Sequence, residues 1–235
     1  MLARVKVDHL NWAGIEESLW SAGYAKLPAL LTAAECADLI AMYGQPELFR
    51  SRIEMARYRF GLGDYQYFDY PLPAIVRDLR LKTYPPLAGI ANRWSEALGE
   101  GARFPPELSR FTASCHKAGQ TKATPLLLHY EAGGYNCLHQ DLYGDIAFPL
   151  QLAVFLSRPE ADYTGGDFLL VEQRPRAQSI GHAIHAGRGE GVIFTTRWRP
   201  VKGARGFYRA NIKHGVSPLE SGTRYTLGII YHDAR

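Results

Sequence analysis

Residues 124–141 read TPLLLHYEAGGYNCLHQD, and their reading decides the fold. An apolar run at 125–130 is followed by Gly133-Gly134 and a second run at 135–139, the signature of short strands separated by a turn. The same texture returns at 149–156, 167–171, 183–186, 191–195, 211–216 and 225–231. Eight strand-like runs at this spacing predict a sandwich or barrel. Upstream the texture is helical. Thr32-Ala33-Ala34-Glu35 is a capping box, with Leu31 and Cys36 placed for a hydrophobic staple. Cys36, Leu39, Ile40 and Tyr43 then form one helix face, and Gly44 supplies a stop. A second helical pattern starts after Pro85-Pro86, runs through Leu87, Ile90, Ala91, Trp94 and Leu98, and ends at Gly99. Between them, Arg57-Tyr58-Arg59-Phe60 and Tyr65-Gln66-Tyr67-Phe68 predict an aromatic, basic extended segment or hairpin. Helices first and strands after predict a mainly β protein, a sandwich with helices packed on one outer face. Residues 1–123 are expected to form helical support and a substrate-recognition region, and residues 124–235 the core, in one compact unit.

Composition narrows the class. The chain has 235 residues, 46% hydrophobic and 21% charged, which excludes disorder as its main state. No run approaches the roughly 18 apolar residues of a membrane helix. The opening residues lack the apolar centre of a signal peptide. Cys36, Cys115 and Cys137 are odd in number and without C-x-x-C spacing, so a reduced cytoplasmic setting is expected, with Cys137 as a small buried hydrophobe. The net charge of +4 is unevenly placed. From Arg174 to Lys213 nine Lys or Arg face Glu190 alone, so this window carries +8 and the rest −4.

His139-Gln140-Asp141 ends the second strand run. Residues i and i+2 of an extended chain face the same way, so an imidazole and a carboxylate project together. With a second histidine they would make the two-histidine, one-carboxylate facial set that leaves iron(II) three open positions. Alone, the pair reads as easily as a surface histidine beside a turn aspartate. Further on, Arg224 follows His214 by ten residues, enough for strand, turn and strand, which predicts the two on adjacent strands. Arginine is a planar, permanently charged fork suited to a carboxylate.

The order His139-x-Asp141, His214-Gly215-Val216, Gly222-x-Arg224 resembles the iron(II)/2-oxoglutarate dioxygenase superfamily. Tyr130-Glu131-Ala132-Gly133-Gly134-Tyr135, Gly165-Gly166-Asp167-Phe168 and the apolar strand ending at Phe194 are similar to motifs of that family, and the likeness spans residues 124–233. It implies a double-stranded β-helix (jelly-roll) fold, iron(II) on His139, Asp141 and His214, 2-oxoglutarate on Arg224, and Tyr130 as a further donor to it. It also implies dioxygen as co-substrate, succinate and CO2 as products, hydroxylation of a C–H bond, and ascorbate as an optional reductant. His182 and His185, three apart on one strand run, cannot share a face, and neither is followed by an arginine at hairpin distance. His116, His129 and His232 read as packing or surface residues.

Two branches compete for the substrate. The basic window with Trp198, Phe207 and Tyr208, and the segment around Arg57–Tyr70, resemble the AlkB-type branch, which removes methyl groups from alkylated DNA or RNA and implies a DNA-repair role. Cations suit phosphate and aromatic faces suit bases. Arg197, Arg199, Lys202 and Arg205 are then the expected phosphate contacts and Trp198 or Tyr208 the stacking residue. Against this, the AlkB pattern has a second arginine six residues after the first, where this chain has Ile230. The ten-residue spacing, Tyr130 and Gly165-Gly166 suit the prolyl-hydroxylase branch, whose substrates are protein side chains. A cupin-like metal-binding module without turnover is a third alternative.

Overall fold

A computed structural model describes residues 7–141 and 144–235. Helix α1 (Trp12–Ala22), strand β1 (Tyr24–Leu27), helix α2 (Ala33–Met42), strands β2 (Phe49–Glu54), β3 (Gly61–Leu62) and β4 (Asp64–Phe68), and helices α3 (Ala74–Ala97) and α4 (Leu108–Lys117) come first. The strands that follow are β5 (Leu126–Glu131), β6 (Tyr135–His139), β7 (Leu150–Phe155), β8 (Tyr163–Gly165), β9 (Phe168–Gln173), β10 (Ile180–Ile184), β11 (Gly191–Thr195), β12 (Trp198–Gly203), β13 (Gly206–Val216) and β14 (Leu219–Ile229). They form two antiparallel sheets. The larger has the order β1-β11-β7-β14-β5-β4-β2 with β8 on β14, and the smaller β10-β9-β13-β6-β3 with β12 on β13.

Alternation along the central strands assigns each face. Leu127, Leu150, Leu152, Val154, Leu227 and Ile229 pack against the helices in the main core. Their neighbours Leu128, Tyr130, Gln151, Ala153, Arg224 and Thr226 point the other way, into a cavity between the sheets. Strand β7 is buried at every position. A strand covered on both faces is apolar on both, which is why these runs alternate poorly in sequence.

The capping box of α2 forms as expected: the Thr32 hydroxyl accepts from the Glu35 amide and the Glu35 carboxylate accepts from the Thr32 amide. The second predicted helix differs. It begins at Ala74 and carries Pro85 and Pro86 in its interior. Each proline removes the donor for the carbonyl four residues back. Leu81 and Lys82 both lie on the exposed side, where water can replace the lost bonds. The first 123 residues also contribute strands. β1 pairs with β11, β4 with β5 and β2 with β4, so both flanks of the larger sheet come from this region.

Candidate active site

β6 and β13 pair antiparallel with His139 opposite His214. Opposed residues of such a pair share a face, and the two rings stand 4.2 Å apart between centroids. Asp141, just beyond β6, points back between them. His139 Nε2 lies 3.4 Å from its Oδ1 and His214 Nε2 lies 3.2 Å from its Oδ2. The three side chains offer ligand atoms all within 4.8 Å of one another. The close approach depends on Gly215: a Cβ there would stand 2.6 Å from the Asn136 carbonyl oxygen on the facing strand.

The donor set fits a divalent iron. His139 Nδ1 lies 2.7 Å from the Cys137 carbonyl oxygen. A carbonyl only accepts, so that nitrogen carries the proton and Nε2 presents a lone pair to the metal position. Asp141 is held well below the ordinary carboxylate range: burial pushes its pKa up, but the charge and hydrogen bonds of His214 and His139 outweigh it. His139 is shifted upward, because Asp141 overcomes its own burial. His214, more deeply buried, is shifted downward by desolvation, which Asp141 only partly offsets.

The other wall of the cavity, about 420 Å³ in volume, is polar at one place. Arg224 is 1% exposed, and its Nε and Nη2 have no hydrogen-bond partner among the described residues. Its guanidinium carbon lies 5.2 Å from the Phe155 ring centre, 5.7 Å from that of Tyr130 and 5.8 Å from that of Tyr163. Gln151 Nε2 and Thr226 Oγ1 are likewise buried without partners among the described residues, and both line the cavity together with Arg224 and with Tyr130, whose hydroxyl has Asn136 as its neighbour. Burial raises the Tyr130 phenol to about 12, against the opposing charge of Arg224, so it stays protonated and able to donate. A buried cation with orphaned donors around it is costly unless an anion fills the space. A carboxylate such as that of 2-oxoglutarate fits.

His214 and Arg224 do not sit on adjacent strands. β13 belongs to the smaller sheet and β14 to the larger, so the chain crosses between sheets at Ser217-Pro218 and the two residues face the cavity from opposite walls. Gly222, at φ 75°, lets β14 pass β8, since a Cβ would meet the Asp162 carbonyl oxygen at 2.1 Å. Sequence reasoning missed Gln151 and Thr226, whose only signal is a polar residue in an otherwise apolar strand. It also missed Gln140, whose Nε2 donates to the Arg197 and Ile212 carbonyls at 2.7 and 2.9 Å.

The basic stretch divides. Trp198 to Gly203 and Gly206 to Asn211 form the β12–β13 hairpin. Arg197, Lys202 and Arg205 are exposed and Tyr208 half-buried, and none of them lines the cavity. Arg197 lies over the Trp198 ring at 3.8 Å. Arg199 corrects the expectation of a phosphate contact. It points inward beside Ala210, is 3% exposed, and bonds Glu172 through Nε at 2.8 Å and the Trp20 carbonyl through Nη1 at 2.6 Å. Cys137 is exposed rather than buried. His182 packs on Tyr24 and His185 pairs with Asp167 at 3.1 Å, so neither competes with His214. The mouth is instead lined by Arg59 and Phe60, on the segment between β2 and β4. Tyr58 and Phe60 are exposed and stacked, 5.5 Å apart and 21° from parallel.

Two imidazoles and a carboxylate could hold iron(II) with positions left open for a co-substrate and dioxygen, and the facing arginine could take the carboxylate at the far end of that co-substrate. This division of labour defines the Fe(II)/2-oxoglutarate-dependent oxygenases. A family model described as "Oxygenase, catalysing oxidative methylation of damaged DNA" matches residues 63–234, and the chain belongs to that family, Oxygenase-NA. It is 51% identical over 167 residues to the uncharacterised proteins Rv2227 (strain H37Rv) and MT2286 (strain CDC 1551) of Mycobacterium tuberculosis, covering 71% of this chain and 72% of each relative. A prolyl-4-hydroxylase from Pseudomonas putida has a similar structure, with TM-score 0.56 and 15% identity over 95% of this chain and 99% of that one. So does a 2OG-Fe(II) oxygenase family oxidoreductase from Burkholderia pseudomallei, with TM-score 0.55 and 15% identity over 97% and 94%. The α-ketoglutarate-dependent epimerase SnoN of nogalamycin biosynthesis gives 0.54 and 15% over 93% and 81%. At these identities the likeness is one of fold. Membership in an oxygenase family sets aside the reading as a binding module without turnover. No helix among the described residues is long and apolar enough to cross a membrane.

Proposed function

We propose that this oxygenase acts on methylated bases of nucleic acid, removing the methyl group by oxidising it. The observation that carries this reading is that Arg59 and Phe60 line the same cavity as His139, with the exposed Phe60 ring stacked on the exposed Tyr58 ring outside it. Stacked aromatic faces with a cation are suited to a displaced base and its phosphate. The family description, which names damaged DNA, supports it. Iron and 2-oxoglutarate, when bound, supply the oxidation: one oxygen atom of dioxygen goes to the substrate carbon and the other to succinate, with loss of CO2. A hydroxylated N-methyl group then leaves as formaldehyde. The chain's own residues hold and orient. His139, Asp141 and His214 would fix the metal, Arg224 and the protonated Tyr130 would clamp the co-substrate carboxylate, and apolar Phe155, Phe168 and Phe194 exclude water behind them.

A second reading, hydroxylation of a protein side chain, is favoured by Ile230. It is buried in the cavity wall where the AlkB pattern has an arginine. Succinate and formaldehyde formation measured against methylated oligonucleotides, unmethylated controls and proline-containing peptides separates the two. Methyl-dependent formaldehyde release is expected. Turnover of peptides with none on oligonucleotides would overturn the nucleic-acid reading.

A further inference from the structure

Beyond the active site the structure holds a second, smaller cavity of about 150 Å³, between the C-terminal half of α3, the segment after it and the start of β12. Its floor is aromatic: Trp94, Phe104 and Phe148 all line it. Trp94 is 2% exposed, and its indole N–H has no hydrogen-bond partner among the described residues. The rim is cationic and flat, formed by Arg197 lying over the Trp198 ring. The carboxylate in the lining, Glu100, is already committed to Arg209 at 2.7 Å. An apolar cavity of this size accepts a benzene-sized ring. With an aromatic lining and a cationic rim, the natural occupant is a planar ring joined to an anionic group.

The position of this cavity relative to the iron ligands is informative. Gln140, between His139 and Asp141, lines the active-site cavity, and its side chain bonds the backbone carbonyl of Arg197, which lines the smaller one. The Gln140 to Arg197 hydrogen bond therefore links the walls of the two cavities. We propose that the smaller cavity is a second subsite of the same enzyme. It takes an unmodified nucleobase flanking the methylated one on a single strand, with the base in the aromatic-lined cavity and Arg197 meeting the intervening phosphate. This inference rests on the nucleic-acid reading above. It adds a preference that the active-site cavity alone would not impose: one particular neighbour of the target must be a base rather than an abasic sugar.

The test uses the full chain with single-stranded oligonucleotides that carry one methylated base and an abasic site stepped through the neighbouring positions. At one flanking position, loss of the base should weaken wild-type binding about tenfold, the scale of one stacked base. Ala102→Phe, an exposed position on the cavity wall, should plug the subsite without disturbing the core. That variant should bind intact and abasic strands alike, at the wild type's abasic level, with substrate-free 2-oxoglutarate turnover unchanged. If wild type binds the oligonucleotides with no position dependence, or Ala102→Phe keeps the dependence, the subsite is overturned and the substrate class stands. If wild type binds no oligonucleotide at low salt, both fall together.

Discussion

His139 and His214 are register partners across β6 and β13, with ring centroids 4.2 Å apart and Asp141 reaching both imidazoles. Two residues 75 positions apart are thus placed by one backbone ladder rather than by loops. Strand-borne ligands hold their geometry because each neighbouring hydrogen bond restrains it. The close approach at Gly215 tightens the same ladder.

Asp141→Ala should abolish iron-dependent decarboxylation of 2-oxoglutarate while the protein remains folded. The carboxylate reaches the two imidazoles of the ligand cluster and faces the cavity between the sheets. Succinate release and circular dichroism check the two halves of this expectation. Retained turnover would remove Asp141 from the metal site.

Arg224→Lys keeps the charge but loses the planar fork. A charge-assisted buried contact is worth about 1.5–3 kcal/mol, so the KM for 2-oxoglutarate should rise roughly tenfold or more. Metal affinity, measured by titration with Mn(II), should hold, since Arg224 faces the ligands from the opposite sheet. An unchanged KM would place the co-substrate anchor elsewhere.

Glu172 gives a pH signature of stability. It is 2% exposed, and although burial pushes its pKa up, hydrogen bonds from Arg199 and Arg174 outweigh this and lower it. A group depressed in the folded state stabilises the fold above its unfolded pKa, and that contribution is lost as pH falls through the folded value. Glu172→Gln leaves Arg199 buried without its counter-ion and should cost about 3–5 kcal/mol at neutral pH. Urea denaturation should show the gap between variant and wild type narrowing below about pH 4.5. A gap constant down to pH 3 would contradict the ion-pair account.

Reversing Arg197, Lys202 and Arg205 to Glu tests the exposed part of the basic stretch. On a single strand each phosphate contact contributes about 0.7 to the slope of log K against log salt. The triple variant should bind oligonucleotides more weakly with a shallower slope, and its substrate-free turnover should match wild type. A slope that survives reversal would make this hairpin a solvated face. Arg199 is left out because its reversal would set a second carboxylate against Glu172 in the interior.

Short-range patterns were sufficient for much of this protein. The capping box at Thr32, the strand runs ending at His139 and spanning residues 191–195, and the His139, Asp141 pair depend on i, i+2 and i, i+3 relationships that the chain carries wherever it goes. Tertiary packing decided the rest. Arg197 and Arg199 are indistinguishable in sequence, yet Arg197 lies just ahead of β12, exposed over the Trp198 ring, whereas Arg199 lies inside β12 and is buried onto Glu172. Local rule starts a helix at Pro85 and Pro86, but α3 begins at Ala74 and runs through them because its buried face, from Ile75 to Trp94, is held against the sheet while the broken bonds face water. Ten residues separate His214 from Arg224 whether their strands pair or cross between sheets. The crossing was settled by β14 finding hydrogen-bond partners in β5 and β7 rather than in β13. Local sequence specifies which residue can do a job, whereas burial and strand partnership depend on surfaces contributed from elsewhere in the chain.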